Sequence, residues 1–83
     1  MPMESNDLDL LHQLGKRIAY LRKKKGMSQL DLSLAADMSK SHLSDLECGR
    51  RNPSLTTMGK LARALGVTLE ELFRGIVSLE DLL

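Results

Sequence analysis

One stretch of the chain decides the fold: Ser28 to Asn52, which is SQLDLSLAADMSKSHLSDLECGRRN. Two short segments within it repeat apolar residues at helical spacing, and only a few residues separate them. Each segment begins at a serine, Ser28 or Ser39, whose side chain is suited to cap the first turn of a helix. The second segment stops at Gly49, a residue that favours the end of a helix. The stretch therefore predicts two amphipathic helices joined by a tight turn.

The second of these helices has one apolar face and one polar face. Leu43 and Leu46 form its inner face, and the turn before it contains Asp37, a residue type that tolerates left-handed backbone. The opposite face carries Lys40, Ser41, Ser44 and Asp45. Their donors and acceptors match those that base edges present in the major groove of DNA. The pattern is that of a helix-turn-helix, whose second helix can lie in that groove.

Apolar periodicity predicts three more helices around this pair. The first extends from about Asp7 to Lys25, and Gly15 inside it allows a break there. The fourth is capped by Ser54, ends at Gly66, and places Leu55, Met58, Leu61, Ala62 and Leu65 on one face. The fifth carries Leu69, Leu72 and Phe73, ends at Gly75, and begins with a capping box formed by Thr68 and Glu71.

Composition supports an all-α fold. The chain has 83 residues, which suffice for one small domain, and Tyr20 and Phe73 are its aromatic residues. Its core must therefore be aliphatic, which suits packed helices better than a sheet. No apolar run is long enough to cross a membrane, and the acidic N-terminal residues do not resemble a signal peptide. The single cysteine, Cys48, fits a reducing cytoplasm.

Charge is segregated along the chain. Residues 1–15 carry a net charge of −3, residues 16–63 carry +7, and residues 64–83 carry −3, although the whole chain has only +1. A basic surface attracts polyanions over long range, whereas such a patch can also be an ordinary solvated face. The central basic segment coincides with the helix-turn-helix, which favours a nucleic acid as the partner.

Three segments together resemble the Xre/Cro-type helix-turn-helix regulators. They read LGKRIAYLRKKKGMSQ (14–29), LSLAADMSKSHLSDLECGRRNPSL (32–55) and LARALGVTLEELF (61–73). The resemblance implies a compact five-helix bundle like the DNA-binding domains of lambdoid phage repressors. It also implies a bacterial or phage-encoded cytoplasmic regulator that binds a pseudo-palindromic double-stranded operator as a homodimer. With little sequence beyond this domain, the chain is similar to small stand-alone regulators such as restriction–modification controller proteins and short phage repressors.

The resemblance also implies roles for individual residues. Residues matching the base-reading positions are Lys40, Ser41, Ser44 and Asp45. Residues matching the positions that contact the DNA backbone are Gln29, Arg50, Arg51 and Asn52. Family members pair the residues matching Arg22 and Glu47 as an ion pair between the first and third helices, and a half-buried carboxylate needs such a partner.

The chain departs from the family pattern at four positions. Asp45 stands where Gln, Arg or Asn is common, and its carboxylate repels phosphate although it can accept from cytosine N4. Leu30 and Leu34 occupy positions that are usually polar and exposed, and Cys48 replaces a commonly polar residue. These leucines favour an alternative function, a protein-interaction adaptor that keeps the fold without binding an operator.

We divide the chain into three parts. Residues 1–13 are an N-terminal extension continuous with helix one, residues 14–74 are the DNA-binding domain, and residues 75–83 are a tail. Apolar residues near the tail either complete the core or form a dimer contact, and we favour the dimer contact. They are Leu69, Phe73, Ile76, Val77, Leu79, Leu82 and Leu83.

Other chemistries find little support in the sequence. His42, Asp45 and Cys48 are three residues apart on one helix, which supplies neither a fourth ligand nor a closed metal site. Cys48 has no second cysteine with which to act as a redox pair. No nucleophile has a base and an orienting group at a recognisable spacing. We therefore expect no enzyme activity, metal or cofactor, and no small-molecule ligand is evident.

Overall fold

Five α-helices form the computed structural model, which describes residues 5–77 apart from the side chains of Ser5, Asn6 and Leu8. They are α1 (Ser5–Lys24), α2 (Gln29–Ala35), α3 (Lys40–Glu47), α4 (Leu55–Leu65) and α5 (Leu69–Leu72). Residues 5–77 contain no β-strand. The predicted all-α, five-helix architecture is confirmed.

A serine or threonine immediately precedes each of the helices α2 to α5 and caps its N-terminus. The side-chain oxygen of this residue accepts the backbone N–H three residues further on, which satisfies one of the donors left open at a helix start. The donor–acceptor pairs are Asp31 to Ser28, His42 to Ser39, Thr57 to Ser54 and Glu71 to Thr68. At α2 the Asp31 carboxylate also accepts the Ser28 N–H at 2.9 Å, so the box there is complete.

Helix α5 is shorter than the sequence predicted, and its capping box is incomplete. It ends at Leu72, and Phe73 is its C-terminal cap. Only the bond from the Glu71 N–H to Thr68 forms. The Glu71 carboxylate instead pairs with Arg17 at 3.1 Å and with Arg74 at 2.8 Å. Two guanidinium partners bind a carboxylate more strongly than one backbone N–H does, so the carboxylate does not cap α5. The prediction of a complete capping box formed by Thr68 and Glu71 was therefore wrong.

Helices α2 and α3 end in the same hydrogen-bond pattern. The Met38 N–H donates to Ser33 O at 2.9 Å, and the Arg50 N–H donates to Asp45 O at 2.9 Å. This pattern needs one left-handed residue just past each helix. Gly49 supplies it after α3 with φ 74°, and Asp37 supplies it after α2 with φ 56°, as the sequence predicted. The turn between α2 and α3 is therefore specified by Asp37.

The core is aliphatic and draws on all five helices. Its buried members are Leu11, Leu14, Ile18, Leu21, Leu32, Ala36, Leu43, Leu46, Met58, Leu61, Ala62, Leu65 and Leu72. Leu55 shares the apolar face of α4 by spacing but is 70% exposed. It is the first residue of α4, and the other four residues of that face are buried.

Gly15 allows α1 to pass close to the end of α3. A Cβ at this position would lie 2.7 Å from Leu46 O and closer still to Glu47 O. Helix α1 continues through Gly15 without a break, contrary to one expectation from the sequence. Glycine is therefore needed for close packing, and this contact sets the position of α3 against the longest helix of the domain.

Helix α1 also holds the segment after α5. The Gln13 side chain donates to Val77 O at 2.8 Å and accepts the Val77 N–H at 3.0 Å. Arg17 donates to Glu71 O at 2.8 Å and pairs with the Glu71 carboxylate. Local sequence patterns predict neither contact, because both join residues far apart in the chain.

Candidate nucleic-acid interface

The polar face of α3 is accessible along its length. Lys40 and Ser41 are exposed, and Ser44 and Asp45 are half-buried. On the opposite face Leu43 and Leu46 are almost completely buried in the core. Packing therefore orients the helix so that all four predicted base-reading residues lie on the accessible side.

The start of α2 contributes to the same surface. Gln29, Lys40, Ser41 and Ser44 line a groove of about 230 Å³. Gln29 is separated from the other three by the turn between the helices, so tertiary packing places the predicted backbone contact beside the predicted base-reading residues. The groove is polar and carries one positive charge from Lys40, which suits a phosphate oxygen.

A basic loop follows α3. Arg50, Arg51 and Asn52 are exposed, as contact with a DNA backbone requires. The Asp45 carboxylate lies 3.8 Å from Arg50 Nη1 and 3.5 Å from Arg51 Nε. Exposed pairs at these distances contribute little to stability, but they offset the negative charge of Asp45. The departure from the family at Asp45 is thus matched by two neighbouring arginines.

Arg22 and Glu47 form a buried ion pair that joins α1 to α3. Arg22 Nε donates to Glu47 Oε2 at 2.7 Å, and Nη2 donates to Oε1 at 2.9 Å. The two side chains are only 10% and 7% exposed. The hydrogen bonds from Arg22 to Glu47 raise the pKa of Arg22, although its burial acts in the opposite direction. Arg22 Nη1 also donates to Met27 O at 3.0 Å, which ties the turn before α2 to the pair.

Gln29 joins this buried pair through a contact that the sequence did not predict. Its Nε2 donates to Glu47 Oε1 at 3.1 Å. No local pattern signals this bond, because 18 residues separate the two side chains. The start of α2 and the end of α3 are thereby linked on the side of the molecule that carries the groove.

The residues predicted for a dimer contact divide into three groups. Leu69, Phe73 and Val77 are 36%, 37% and 41% exposed, a large fraction for apolar side chains. Ile76 is half-buried and packs against the core. Leu79, Leu82 and Leu83 lie outside the residues that the structure describes.

The described part of the chain has neither a membrane-spanning helix nor a cluster of metal-binding side chains. Every helix in the described part of the chain is too short or too polar to span a lipid bilayer. Within residues 5–77, no three His, Cys, Asp or Glu side chains are grouped closely enough to hold a metal ion. Cys48 is exposed at the end of α3 and forms no disulfide.

Known proteins share both sequence and structure with this chain. The family model for Helix-turn-helix matches residues 18–72. An HTH-type transcriptional regulator of Sinorhizobium fredii, y4dJ, is 42% identical over 65 residues, which cover 78% of this chain and 84% of that protein. The immunity repressor protein of Bacillus phage phi105 is 43% identical over 54 residues, which cover 65% of this chain and 38% of the repressor.

A solved structure shows similarity in three-dimensional fold as well. The restriction-modification controller protein C.AhdI from Aeromonas hydrophila superposes with a TM-score of 0.75 and 40% sequence identity. The superposition covers 76% of this chain and 96% of C.AhdI.

Proposed function

Because this chain belongs to the helix-turn-helix family, we propose that it is a transcriptional regulator that binds a double-stranded operator by inserting α3 into the major groove. The groove lined by Gln29, Lys40, Ser41 and Ser44 is the observation that carries this proposal. It joins the start of α2 to the accessible face of α3, and the exposed arginines that follow α3 pair with Asp45 on that helix. Polar donors for base edges and cationic donors for phosphates are thus both carried by α3 and the segments next to it.

The two classes of contact fall on different elements. Lys40, Ser41, Ser44 and Asp45 on α3 are proposed to read base edges. Gln29 at the start of α2 and the loop residues Arg50, Arg51 and Asn52 are proposed to contact phosphates. Base contacts select the sequence, whereas phosphate contacts set the position of the helix on the duplex.

We also propose that the protein acts as a homodimer on a pseudo-palindromic operator. The exposed apolar side chains of Leu69, Phe73 and Val77 support an interface at α5 and the segment after it. A two-fold dimer presents two equivalent recognition helices, so its operator repeats the half-site in opposite orientation.

The test is DNA binding measured by fluorescence anisotropy over a series of salt concentrations. A dimer that contacts about eight phosphates gives a slope of roughly −7 in a plot of log affinity against log salt. Replacing both Arg50 and Arg51 by alanine should flatten that slope by about 3 to 4, because each dimer loses four phosphate contacts. Selection from a random duplex pool should then return a two-fold symmetric sequence.

A matched control removes two positive charges away from the groove. Lys24 is exposed in the last turn of α1, and Arg63 is exposed in the last turn of α4. Replacing both by alanine should leave the slope nearly unchanged. Binding that is insensitive to salt, or equal losses in the two double variants, would count against the assigned phosphate contacts.

A second candidate function, the protein-interaction adaptor, is favoured by α2. Leu30 is 51% exposed and Leu34 is 71% exposed, one helical turn apart. Two exposed leucines on one face can bind an apolar partner. Selection from the random duplex pool separates the candidates, because an adaptor without operator binding would select no sequence from it.

A further inference from the structure

A buried carboxylate lies directly behind the proposed phosphate contact. Glu47 Oε1 accepts hydrogen bonds from Arg22 Nη2 at 2.9 Å and from Gln29 Nε2 at 3.1 Å. A carboxylate only accepts, so the end of the Gln29 side chain that meets Glu47 must be its NH2 group. Because the Glu47 side chain is only 7% exposed, water competes weakly for this bond. The orientation of the Gln29 amide is thereby set before any ligand arrives.

This arrangement leaves Gln29 with a donor for DNA. Its NH2 group has two hydrogens, and Glu47 takes one. Gln29 also lines the groove with Lys40, Ser41 and Ser44, and within that groove Gln29 is the residue proposed to contact a phosphate. A glutamine without this bond would lose rotamer freedom when it binds DNA, which costs binding free energy. Gln29 has already lost that freedom in the free protein, so this cost is smaller.

We propose that Glu47 is a positioning residue for DNA binding, which holds the Gln29 amide so that its second N–H faces a phosphate. The inference rests on the proposed function and assigns Glu47 a role beyond the ion pair. Arg22 offsets the charge of Glu47 through two hydrogen bonds, so the carboxylate can stand close to a phosphate without strong repulsion.

The proposal and simple electrostatics predict opposite signs for one substitution. Glu47→Gln raises the net charge by one, which by itself strengthens attraction to DNA. If Glu47 positions Gln29, the same substitution weakens binding, because a neutral amide holds the Gln29 NH2 less firmly and can present its own NH2 instead. Glu70→Gln is the matched control. It changes the net charge by the same amount, and Glu70 is exposed on α5.

The experiment measures affinity for a mixed-sequence duplex at fixed low salt, at a temperature where melting curves show every variant folded. We expect Gln29→Ala to weaken binding about tenfold and Glu47→Gln to weaken it severalfold. Glu70→Gln should leave binding unchanged or slightly stronger. In the Gln29→Ala background, Glu47→Gln should cause no further loss, because its effect passes through Gln29.

Several results would overturn the inference while leaving the proposed function intact. They are unchanged binding by Gln29→Ala, stronger binding by Glu47→Gln, or an equal loss from Glu47→Gln in both backgrounds. A wild-type protein that does not bind DNA would overturn both.

A second measurement covers the case in which Glu47→Gln does not fold. In nuclear magnetic resonance spectra of the wild-type protein, one Gln29 side-chain amide proton should exchange slowly with water. Addition of DNA should shift the other proton. Two equally fast-exchanging protons, neither of them shifted by DNA, would contradict the proposal.

Discussion

Lys40 is the residue at which base recognition is tested most directly. It is exposed in the first turn of α3 and lines the groove beside Gln29. A lysine ammonium matches guanine O6 and N7. We expect Lys40→Ala to cost about 1–3 kcal/mol on the selected operator and to relax the preference at one base position.

Sequences selected by the wild type and by Lys40→Ala provide the measurement. Lys60→Ala is a charge-matched control, because it also removes one lysine but lies on α4 rather than on α3. Lys60 Nζ lies 3.9 Å from Asp37 Oδ2. Equal weakening of every sequence by Lys40→Ala would instead make Lys40 a phosphate contact.

Arg22 and Glu47 are a residue pair whose coupling affects stability. Glu47→Ala would leave the Arg22 guanidinium with only its bond to Met27 O among the contacts observed. Breaking a buried pair by removing one partner leaves an uncompensated charge, so we expect a loss of about 3 kcal/mol in the free energy of unfolding. Denaturant unfolding of both single alanine variants and the double variant should show losses that do not add. Additive losses would mean that the two residues are not coupled.

At the scale of elements, two glycines inside helices should respond in opposite ways to alanine. Gly15→Ala places a methyl group against the carbonyls that end α3, so we expect a loss of about 1–3 kcal/mol. Gly59→Ala lies in α4, where the added methyl meets nothing within 4 Å, so we expect a gain of about 0.5–1 kcal/mol. Thermal melts of the two variants check both signs. A neutral Gly15→Ala would show that α1 and α3 can separate without cost.

The start of α2 should make stability depend on pH through Asp31. Its pKa is lowered from 3.8, first by the hydrogen bond from the Ser28 backbone and then by that from the Ser28 side chain. Because the pKa of Asp31 is lower in the folded state than in the unfolded state, its ionised carboxylate stabilises the fold. This stabilisation is complete above about pH 3.8 and is lost as the pH falls through the pKa of the folded state. The difference in melting temperature between wild type and Asp31→Ala should therefore be constant near neutral pH and should shrink below pH 3.8. A difference that grows in acid would contradict this sign.

At the scale of the whole molecule, the main prediction concerns assembly. We expect a two-fold dimer at micromolar concentration, with its recognition helices about 34 Å apart, one turn of DNA. Phe73→Glu should give a folded monomer, because Phe73 is 37% exposed and lies outside the buried core cluster. Sedimentation analysis provides the measurement.

The control for assembly is Leu34→Glu, the same type of change on α2. Leu34 is 71% exposed, and this variant should remain dimeric. If Leu34→Glu dissociates the dimer and Phe73→Glu does not, the interface lies on α2 rather than at α5.

The sequence by itself determined the helices and most of their ends. Ser28, Ser39, Ser54 and Thr68 act as N-caps through bonds that span three residues, and Asp37 forms its turn with equally close neighbours. Helical spacing likewise predicted most of the core. Such contacts depend on residues a few positions apart, so local patterns are sufficient to specify them.

Only the tertiary structure decided how these elements combine into a surface. It joined Gln29 to Glu47 and turned the Glu71 carboxylate from its predicted cap toward Arg17. It also left Leu55 exposed although its spacing matches the core. A long side chain such as Gln, Glu or Arg reaches several alternative partners, and packing of distant helices selects among them. Local preference specified each helix, whereas burial and charge across the helices determined which side chains face the groove.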